Sequence, residues 1–363
     1  MEREGVQEGR DGPGGRDPVH SEEGRRQEGL IAPLPLDSDT AARLLVSSDR
    51  SAVGIDLGGS KLRGGLLSGE GELLGRLEVQ TEAWKGASGV LANLKRVISR
   101  LLDSTDPARV AGIGIAAAGQ IHPVTQAVVF APNLQWDDVP LRDEIESAFG
   151  LPTYVENDVR AAAWGEYRFG VGRGTKSLIA VFVGTGVGSG AVMDGLLLKG
   201  ASNAAGELGH TQIVPDGIPC VCGQRGCVEA YASGQGFMRR VETALVDGTA
   251  TRLKDDTGGD ARRATAALVA RAAAAGDEFA RRIWDDAERY LGSAIANYVT
   301  LLNPELLVLG GGIMTAVPAL IGAIERQVRA HATLMSRDLR IARASLGDSS
   351  AIFGAADRVW GRA

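Results

Sequence analysis

Three cysteines lie within eight residues, in the segment CVCGQRGC, and His210 stands ten residues before the first of them. Thiolates and an imidazole at such spacing are typical zinc ligands, and four of them complete a closed tetrahedral site. Gly223 and Gly226 would let the backbone turn back and direct the last cysteine toward the same ion. The alternative is a redox-sensing or simply buried cysteine trio. We predict a structural zinc site whose ligands are His210, Cys220, Cys222 and Cys227.

Glycine-rich turns recur at three places in the chain. The first, DLGGSK, begins at Asp56, where glycines let backbone N–H groups approach phosphate oxygens and Asp56 could hold Mg²⁺ through water. The second, GTGVGSG, covers residues 184–190, and a third glycine cluster after a buried strand offers flat backbone to an adenosine. Each turn alone is a common hairpin feature, but together they predict an ATP site. The predicted nucleotide-binding residues are Asp56, Gly58, Gly59, Ser60, Lys61, Gly184, Thr185, Gly186, Gly188, Gly310, Gly311 and Gly312.

Asp158 directly follows a short predicted strand and begins a predicted helix, in the segment VENDVRAA. On this segment alone, Asn157 as a helix cap and Asp158 as a first-turn acid would be the simpler interpretation. Phosphoryl transfer to an alcohol, however, requires a carboxylate that accepts the hydroxyl proton. In the context of the glycine turns, Asp158 is the best-placed candidate, and we predict it to be the catalytic base.

Further polar residues flank the predicted zinc ligands. Glu207 precedes His210 by three residues in AGELGH, and Glu229 follows the last cysteine by two. Carboxylates that accept hydrogen bonds from neighbouring hydroxyls are common sugar ligands, and Asn133 in APNLQW can both donate and accept. Solvated surface acids and an ordinary loop asparagine are the alternatives. The pattern predicts a sugar site beside the zinc.

The elements that must position these residues alternate along the chain. Three short apolar runs from Ala52 onward predict a strand meander, after which helices and strands alternate, with helices expected around Val90 to Leu102 and near Leu141 to Phe149. The second half repeats this scheme from SLIAVFVGTG onward, with an inserted segment that holds the cysteines. This repeat fits an α/β fold of two similar lobes around a central cleft, although periodicity alone does not establish a duplication. The predicted boundaries are residues 51–165 plus 350–363 for a smaller lobe, and 166–349 for a larger lobe with the zinc-binding insertion at about 201–235.

The composition argues against several classes of partner. The net charge is −6, and 39 basic residues are scattered among 45 acidic ones, so no basic stripe is available for nucleic acid. The 19 uncharged residues from Leu306 to Ile324 include three consecutive glycines and a proline, which predict a strand, a turn and a helix rather than a membrane span. Residues 1–48 are polar and predict a mostly disordered extension without a signal peptide, hence a cytoplasmic protein.

Taken in order, these motifs resemble the ROK family, named for repressors, open reading frames and kinases. The resemblance runs from about Val53 to the C-terminus and is carried by DLGGSK, APNLQW, END, ELGH, CVCGQRGC and LNPELLVLGGG. It implies a duplicated actin-like, ribonuclease H-like ATPase fold and a homodimer or homotetramer. It also implies that Asp158 takes the proton of a sugar 6-hydroxyl. The residues implied to hold the other hydroxyls are Asn133, Asn157, Glu207, His210 and Glu229, with His210 shared between zinc and sugar.

Within this resemblance, the expected function is an ATP-dependent glucokinase that acts in glycolysis. Kinases for N-acetylmannosamine, N-acetylglucosamine or fructose share the same pattern, as would a sugar-binding protein that has lost activity. In the phosphate motif DLGGSK, Ser60 replaces the threonine that is commoner in the family. Gln120 and His122 in AAAGQIHP resemble the corresponding residues of family repressors as much as those of kinases. Family repressors carry a winged helix-turn-helix before the kinase-like part, whereas about fifty mostly polar residues precede Asp56 here. The intact DLGGSK motif and Asp158 favour catalysis over repression.

Overall fold

The computed structural model describes residues 50–360 of the chain. The extension predicted for residues 1–48 lies outside the described residues. The strands of the described part are β1 (Ser51–Leu57), β2 (Lys61–Leu67), β3 (Leu73–Gln80), β4 (Val110–Ala117), β5 (Gln120–Ile121), β6 (Val128–Ala131), β7 (Trp136–Val139), β8 (Thr153–Asn157), β9 (Leu178–Val183), β10 (Val187–Met193), β11 (Leu196–Leu197), β12 (Leu306–Gly310) and β13 (Arg340–Arg343). The α-helices are α1 (Gly86–Leu102), α2 (Leu141–Phe149), α3 (Asp158–Arg168), α4 (Val228–Ala232), α5 (Gly234–Val246), α6 (Leu253–Thr257), α7 (Ala266–Ala274), α8 (Glu278–Leu302), α9 (Gly312–Ala316), α10 (Ala319–His331) and α11 (Ser350–Val359).

Two five-stranded mixed sheets form the framework of the fold. Their strand orders are β3-β2-β1-β4-β8 and β11-β10-β9-β12-β13. In the first sheet β1 pairs antiparallel with β2 and parallel with β4, and in the second β9 pairs antiparallel with β10 and parallel with β12. The outer strands also correspond, with β3 and β11 antiparallel and β8 and β13 parallel to their neighbours. The two sheets therefore share one topology, which confirms the predicted duplicated α/β fold.

The central strand β9 shows how the apolar runs determine this layering. Ile179, Val181 and Val183 pack into the hydrophobic cluster that contains much of α8, whereas Leu178 and Ala180 belong to a cluster with α3. Successive side chains of a strand point to opposite faces, so an unbroken apolar run is buried only where both faces are covered. The run in β9 thus requires a helix on each side of the sheet.

Helices α3 and α11 cross between the two halves. Helix α3 follows the first sheet in sequence but packs against β9 and β10, and α11 follows the second sheet but packs against β1 and β4. Glycine permits their close approach: a Cβ on Gly354 would lie 1.7 Å from the carbonyl oxygen of Ala161, and one on Gly165 would lie 2.1 Å from that of Ser350. Each sheet is therefore partly covered by the helix that follows the other sheet.

Buried carboxylates fasten this helix pair. Glu166 of α3 is fully buried and accepts hydrogen bonds from the N–H of Leu346 at 2.9 Å and the hydroxyl of Ser350 at 2.8 Å. Asp357 of α11, also buried, accepts a hydrogen bond from Nε1 of Trp164 at 2.8 Å. Hydrogen bonds to a buried carboxylate replace the hydration it loses. The two contacts therefore hold α3 to both ends of α11 through polar as well as apolar packing.

A third, small sheet carries one of the predicted site residues. Its three strands, in the order β5-β6-β7, are antiparallel, and Asn133 lies in the 3₁₀ turn Pro132–Leu134 between β6 and β7. Strands of two to four residues are too short to show alternation, so the sequence pattern does not predict this sheet. Helices α5 to α7, which follow the cysteine segment, are likewise additional to the predicted elements.

The uncharged stretch from Leu306 to Ile324 is divided among β12, α9 and the beginning of α10. This division matches the predicted strand, turn and helix. Among residues 50–360, no helix combines the length and the apolar character that crossing a bilayer requires.

Candidate active site and metal centre

The first sheet brings two acidic residues to one edge. Asp56, near the end of β1, pairs with Ala116 of β4, and Ala117 pairs with Asn157 at the end of β8. The carboxyl ends of parallel strands meet at the same edge of a sheet, where ligands bind in open α/β folds. Asp158 follows Asn157 directly and begins α3. Asp56 and Asp158 are therefore close enough for the charge of one to alter the pKa of the other.

Asp158 is held in one orientation by its neighbours. Its Oδ1 accepts hydrogen bonds from the side-chain amide of Asn157 at 3.1 Å and from the N–H of Val159 at 2.9 Å. Removal of the carboxylate from water, and then the charges of Asp56 and Glu207, raise the pKa of Asp158 from 3.8 to about 6. A carboxyl group with such a pKa can accept a proton and release it again near neutral pH.

The side-chain amide of Asn157 forms hydrogen bonds with other groups of the protein. Its Oδ1 accepts hydrogen bonds from the N–H groups of Val159 and Arg160, each at 3.1 Å, and so caps α3. Its Nδ2 donates to Asp158 and also to the carbonyl of Gly119 at 3.2 Å. The helix-cap interpretation therefore describes this residue, while the direct sugar contact expected of it stays a prediction.

The first glycine turn joins β1 to β2 and contacts two other segments. Thr81 donates its N–H to the carbonyl of Ser60 at 2.9 Å and its hydroxyl to the carbonyl of Gly58 at 2.6 Å. A Cβ on Gly59 would lie 2.7 Å from the carbonyl oxygen of Asn133, so only glycine permits this approach. The structure therefore brings the predicted phosphate turn directly against the exposed Asn133.

Asp56 has a cationic partner that the motifs did not predict. Nη1 of Arg63 lies 3.0 Å from Oδ2 of Asp56, and Nε of Arg63 lies 3.0 Å from Glu78, which also binds Lys61 at 2.6 Å. Burial raises the pKa of Asp56 above its usual value, against the opposing effect of Arg63. Residues directly opposite in an antiparallel pair share a face, and the register pairs Asp56 with Arg63. Counting outward from the turn could therefore have indicated this contact.

The second and third glycine clusters lie side by side, next to the start of α3. A Cβ on Gly188 would lie 2.5 Å from the side chain of Val159, in the first turn of that helix. Gly311, between β12 and α9, has a φ of 95°, and a Cβ there would lie 2.4 Å from the carbonyl oxygen of Val183, the residue before Gly184. The two predicted nucleotide segments of the second half thus form one glycine-lined surface near the candidate base.

Helix α5 begins against the second glycine turn. The N–H of Gly234 donates to the carbonyl of Gly184 at 2.9 Å, and the N–H of Gln235 donates to that of Thr185 at 3.1 Å. The first N–H groups of a helix have no partners within the helix, and the turn supplies acceptors for two of them here. The turn is therefore anchored to the segment that follows the cysteines.

The four predicted metal ligands converge on one point. Their ligand atoms all lie within 4.8 Å of one another. Nδ1 of His210 is 3.8 Å from Sγ of Cys220, and Sγ of Cys222 is 3.7 Å from Sγ of Cys227. A tetrahedral ion with metal–sulfur bonds of about 2.3 Å separates its ligands by about 3.8 Å. The spacing and the donor types therefore fit a tetrahedral ion such as zinc.

Backbone turns bring Cys227 back toward the other ligands. Gly223 and Gly226 have φ values of 88° and 77°, and a Cβ on Gly226 would lie 1.8 Å from the carbonyl oxygen of Val214. Burial, followed by the neighbouring thiols, raises the pKa of Cys227 to about 12. Thiolates are the metal-binding form of cysteine, so a cation must supply the energy that ionises this thiol.

The two carboxylates that flank the metal ligands have different surroundings. Glu207 is exposed, directly precedes the 3₁₀ turn Leu208–His210, and is near enough to raise the pKa of Asp158. Glu229 lies in the first turn of α4, and its Oε2 accepts a hydrogen bond from the N–H of Val187 at 2.9 Å. Glu207 is thus part of the surroundings of the candidate base, whereas Glu229 contacts the second glycine turn.

A buried ion network lies behind Asn157. Glu156, with a side chain only 1% exposed, lies 2.7 Å from Nη2 of Arg160 and 3.4 Å from Nζ of Lys199. Lys199 follows β11 of the second sheet, whereas Glu156 belongs to β8 of the first. The ion pair of Glu156 with Lys199 therefore connects the two halves next to Asn157, the cap of α3. The two residues are far apart in sequence, so the sequence pattern did not predict this pair.

The fold and the site define a duplicated actin-like ATPase architecture. A family model described as the ROK family matches residues 52–361, and the chain belongs to this family. A glucokinase of Halalkalibacterium halodurans is 36% identical over 313 residues, which are 85% of this chain and 94% of that protein. A putative xylose repressor of a Caldicellulosiruptor species is 31% identical over 80% of this chain and 70% of its own length. A solved ROK family glucokinase from Streptomyces griseus, in complex with glucose and AMPPNP, has a TM-score of 0.71 and 32% identity, over 85% of this chain and 98% of that one.

Proposed function

We propose that this protein is an ATP-dependent hexose kinase that phosphorylates the 6-hydroxyl of glucose. The observation that carries the proposal is the candidate base: the carboxylate of Asp158 is oriented by Asn157 and has a pKa of about 6. Phosphoryl transfer to an alcohol needs a positioned acceptor, neutralised phosphate charge and a base for the hydroxyl proton. The glycine turns, and Mg²⁺ held through water by Asp56, would neutralise the phosphate charge, and the residues around the metal centre would position the acceptor.

In the proposed reaction, the sugar 6-oxygen attacks the γ-phosphorus of ATP while the bond to the β,γ-bridging oxygen breaks and ADP departs. Asp158 accepts the proton of the hydroxyl and later releases it to water. The N–H groups of the first and second glycine turns would hold the β- and γ-phosphates, and the third glycine cluster would lie against the adenosine. Mg²⁺ supplies neutralising charge when bound with ATP, and Asp56 would hold it through water.

The proposed sugar-binding wall is built around the metal centre. Zinc is the proposed ion, and its role is structural, because three thiolates and one imidazole leave no open position for a substrate. A bound ion would fix the ring of His210, whose second nitrogen would then be free to contact the sugar. The residues proposed to contact hexose hydroxyls are Asn133, Asn157, Asp158, Glu207, His210 and Glu229.

Glucose is proposed as the first choice of substrate because of the similarity to glucokinases over most of the chain. Discrimination between hexoses can depend on one or two contacts, so N-acetylated hexoses and fructose belong in the same test. We also propose a cytoplasmic location, where ATP is available, and a homodimer or homotetramer, which light scattering would measure.

The experiment that tests the proposal is a coupled assay for ADP release with purified protein, Mg·ATP and a panel of hexoses and N-acetylhexosamines. The D158N variant serves as the control for a contaminating kinase. We expect glucose-dependent ADP release, formation of the 6-phosphate and loss of both in D158N. ADP release that no sugar stimulates, or that D158N retains, would contradict the proposal.

A transcriptional repressor is the second candidate, favoured by the 31% identity to a putative xylose repressor. The net charge of −6 argues against it, because nonspecific DNA affinity derives from basic residues near phosphates. A labelled-duplex shift assay separates the two candidates. Sequence-specific binding at nanomolar protein concentrations, together with absent kinase activity, would establish the repressor instead.

A further inference from the structure

Glu229 links the candidate metal centre to the second glycine turn. It lies two residues after the ligand Cys227, which immediately precedes α4, and it accepts the 2.9 Å hydrogen bond from the N–H of Val187. A Cβ on Gly186 would lie 2.5 Å from the same carboxylate oxygen. The carboxylate therefore fits closely against the turn, and a change in the position of α4 would be transmitted to residues 184–188.

Three hydrogen bonds in all hold the turn to the segment that follows the last cysteine. Besides the Glu229 contact, the first two N–H groups of α5 donate to carbonyls of the turn. Helices α4 and α5 are separated only by Ser233 and contact each other. The turn therefore depends on the placement of one short helical segment.

The other end of that segment depends on the metal ligands. The N–H of Val228 donates to the carbonyl of Thr211, next to His210, at 3.1 Å, and Gln212 forms a bridge with Cys227. The hydrophobic cluster under the cysteine segment has four buried members, two of which are the ligands Cys220 and Cys227, so apolar packing contributes little within that segment. Val228 and Ala232 of α4, by contrast, pack into the main hydrophobic core. An ion that joins His210 to Cys227 would fix the start of α4, and with it Glu229.

We propose that Glu229 is a positioning residue that couples occupancy of the metal centre to nucleotide binding. This inference rests on the proposed function in one respect, namely that residues 184–188 contact the phosphates of ATP. Coupling between two binding equilibria is reciprocal. The factor by which zinc improves nucleotide affinity therefore equals the factor by which nucleotide improves zinc affinity. A role of Glu229 as a sugar ligand alone predicts no such coupling.

The first test is calorimetric titration of the zinc-loaded protein with Mg·AMPPNP in the absence of hexose. E229Q retains a side-chain oxygen for the N–H of Val187, E229A removes it, and E242Q at an exposed position of α5 is the matched control. We expect E229A to weaken AMPPNP binding by about five- to tenfold, toward the lower end of typical coupling, and E229Q and E242Q to stay within about twofold of the parent. Unchanged affinity in E229A would overturn the proposal.

The second test is equilibrium competition for zinc with a chromogenic chelator, with and without Mg·AMPPNP. We expect Mg·AMPPNP to raise the zinc affinity of the parent protein by about five- to tenfold, and to leave the zinc affinity of E229A unchanged. No effect of nucleotide in the parent, or an undiminished effect in E229A, would overturn the proposal. Far-UV circular dichroism of the zinc-loaded variants excludes unfolding as the cause, and the calorimetric comparison does not require a metal-free protein.

These tests fail separately from the proposed function. Coupling in a protein that phosphorylates no hexose would contradict only the kinase proposal. An active hexose kinase without coupling would contradict only the role of Glu229. Absence of any AMPPNP binding would contradict both.

Discussion

The side-chain amide of Asn157 donates a hydrogen bond of 3.1 Å to Oδ1 of Asp158. The oxygen of the same amide caps α3, so the orientation of the candidate base follows from the start of the helix in which it lies. A base that is already oriented loses little freedom when it meets a bound hydroxyl. The helix-cap and catalytic interpretations of this segment are therefore complementary, with one residue assigned to each role.

The D158N variant should lose about 10²- to 10⁴-fold in kcat, because the amide cannot accept the hydroxyl proton. Its affinity for hexose should change little, since an amide oxygen can still accept the hydrogen bonds from Asn157 and Val159. Coupled kinetics and calorimetric titration with glucose measure the two quantities. Near-normal turnover in D158N would remove Asp158 from the mechanism.

The same substitution should stabilise the protein at neutral pH. The folded-state pKa of about 6 lies above the ordinary value of 3.8, so the folded protein binds this proton more tightly than the unfolded chain. Its unfavourable effect is absent below pH 3.8 and develops as the pH rises to 6. With about 1.4 kcal/mol for each pKa unit, D158N should raise the free energy of unfolding by up to about 3 kcal/mol at pH 7 and little at pH 3. Urea unfolding at both pH values measures this difference, and equal effects would contradict the assigned pKa.

Activity should fall as the pH drops through about 6, because protonated Asp158 cannot act as a base. The charge of Glu207 contributes to that pKa, so E207Q should move the acidic limb of the profile to lower pH. The profile of kcat/KM against pH measures both effects, whatever the change in absolute rate. E242Q is the control. If the acidic limbs of the E207Q and E242Q profiles coincide, the charge of Glu207 does not influence the pKa of Asp158.

The purified protein should contain about one zinc ion per chain, and C222S should release it, because a closed site needs all four ligands. Hexose affinity should fall in C222S before the protein unfolds, since the ion orients His210. Elemental analysis, glucose titration and thermal unfolding measure the three properties. Absence of zinc from the parent protein, or undiminished glucose binding in a zinc-free C222S, would contradict this assignment.

The crossing of α3 and α11 should tolerate no added methyl group. In G354A the new Cβ would lie 1.7 Å from the carbonyl oxygen of Ala161, so the helices must separate and overpacking should cost about 1–3 kcal/mol or more. Gly322, in α10, is the matched control, because the nearest atom to its Cβ position is the far end of Arg326 at 3.6 Å. G322A should stabilise the helix by about 0.5–1 kcal/mol. Denaturant unfolding of both variants measures the contrast, and similar stabilities would contradict the close crossing.

Local signals explain which elements could be predicted from the sequence. Helix α2 has the predicted bounds because proline precedes it and Gly150, with a φ of 64°, ends it. Helix α1 begins at Gly86, four residues before the predicted Val90. The prediction started late because the first residues, GASG, contain no large apolar side chain and so show no apolar periodicity. The crossing of α3 and α11 left no signal, since it depends on small residues that meet only in the folded chain.

Some contacts of the candidate site could likewise be predicted from the sequence, and others could not. The metal ligands could be predicted because four uncommon donor residues lie close together in sequence, and the structure brings them within reach of one ion. The contact of Arg63 with Asp56 could have been found from the hairpin register. That of Glu229 with Val187 could not, because it joins elements that are remote in sequence and involves a backbone group present in every residue but proline.

The placement of α11 also affects how the chain must fold during synthesis. Ala52 and Leu67 of the first sheet are covered by Ile352, Phe353 and Ala356. A ribosome that has completed the whole first half has therefore still not made the helix that shields this face. Until residues 350–359 emerge, the nascent chain presents apolar strand surface to chaperones and to other chains. The two halves share a topology, but the first sheet is fully covered only after residues 350–359 have been translated.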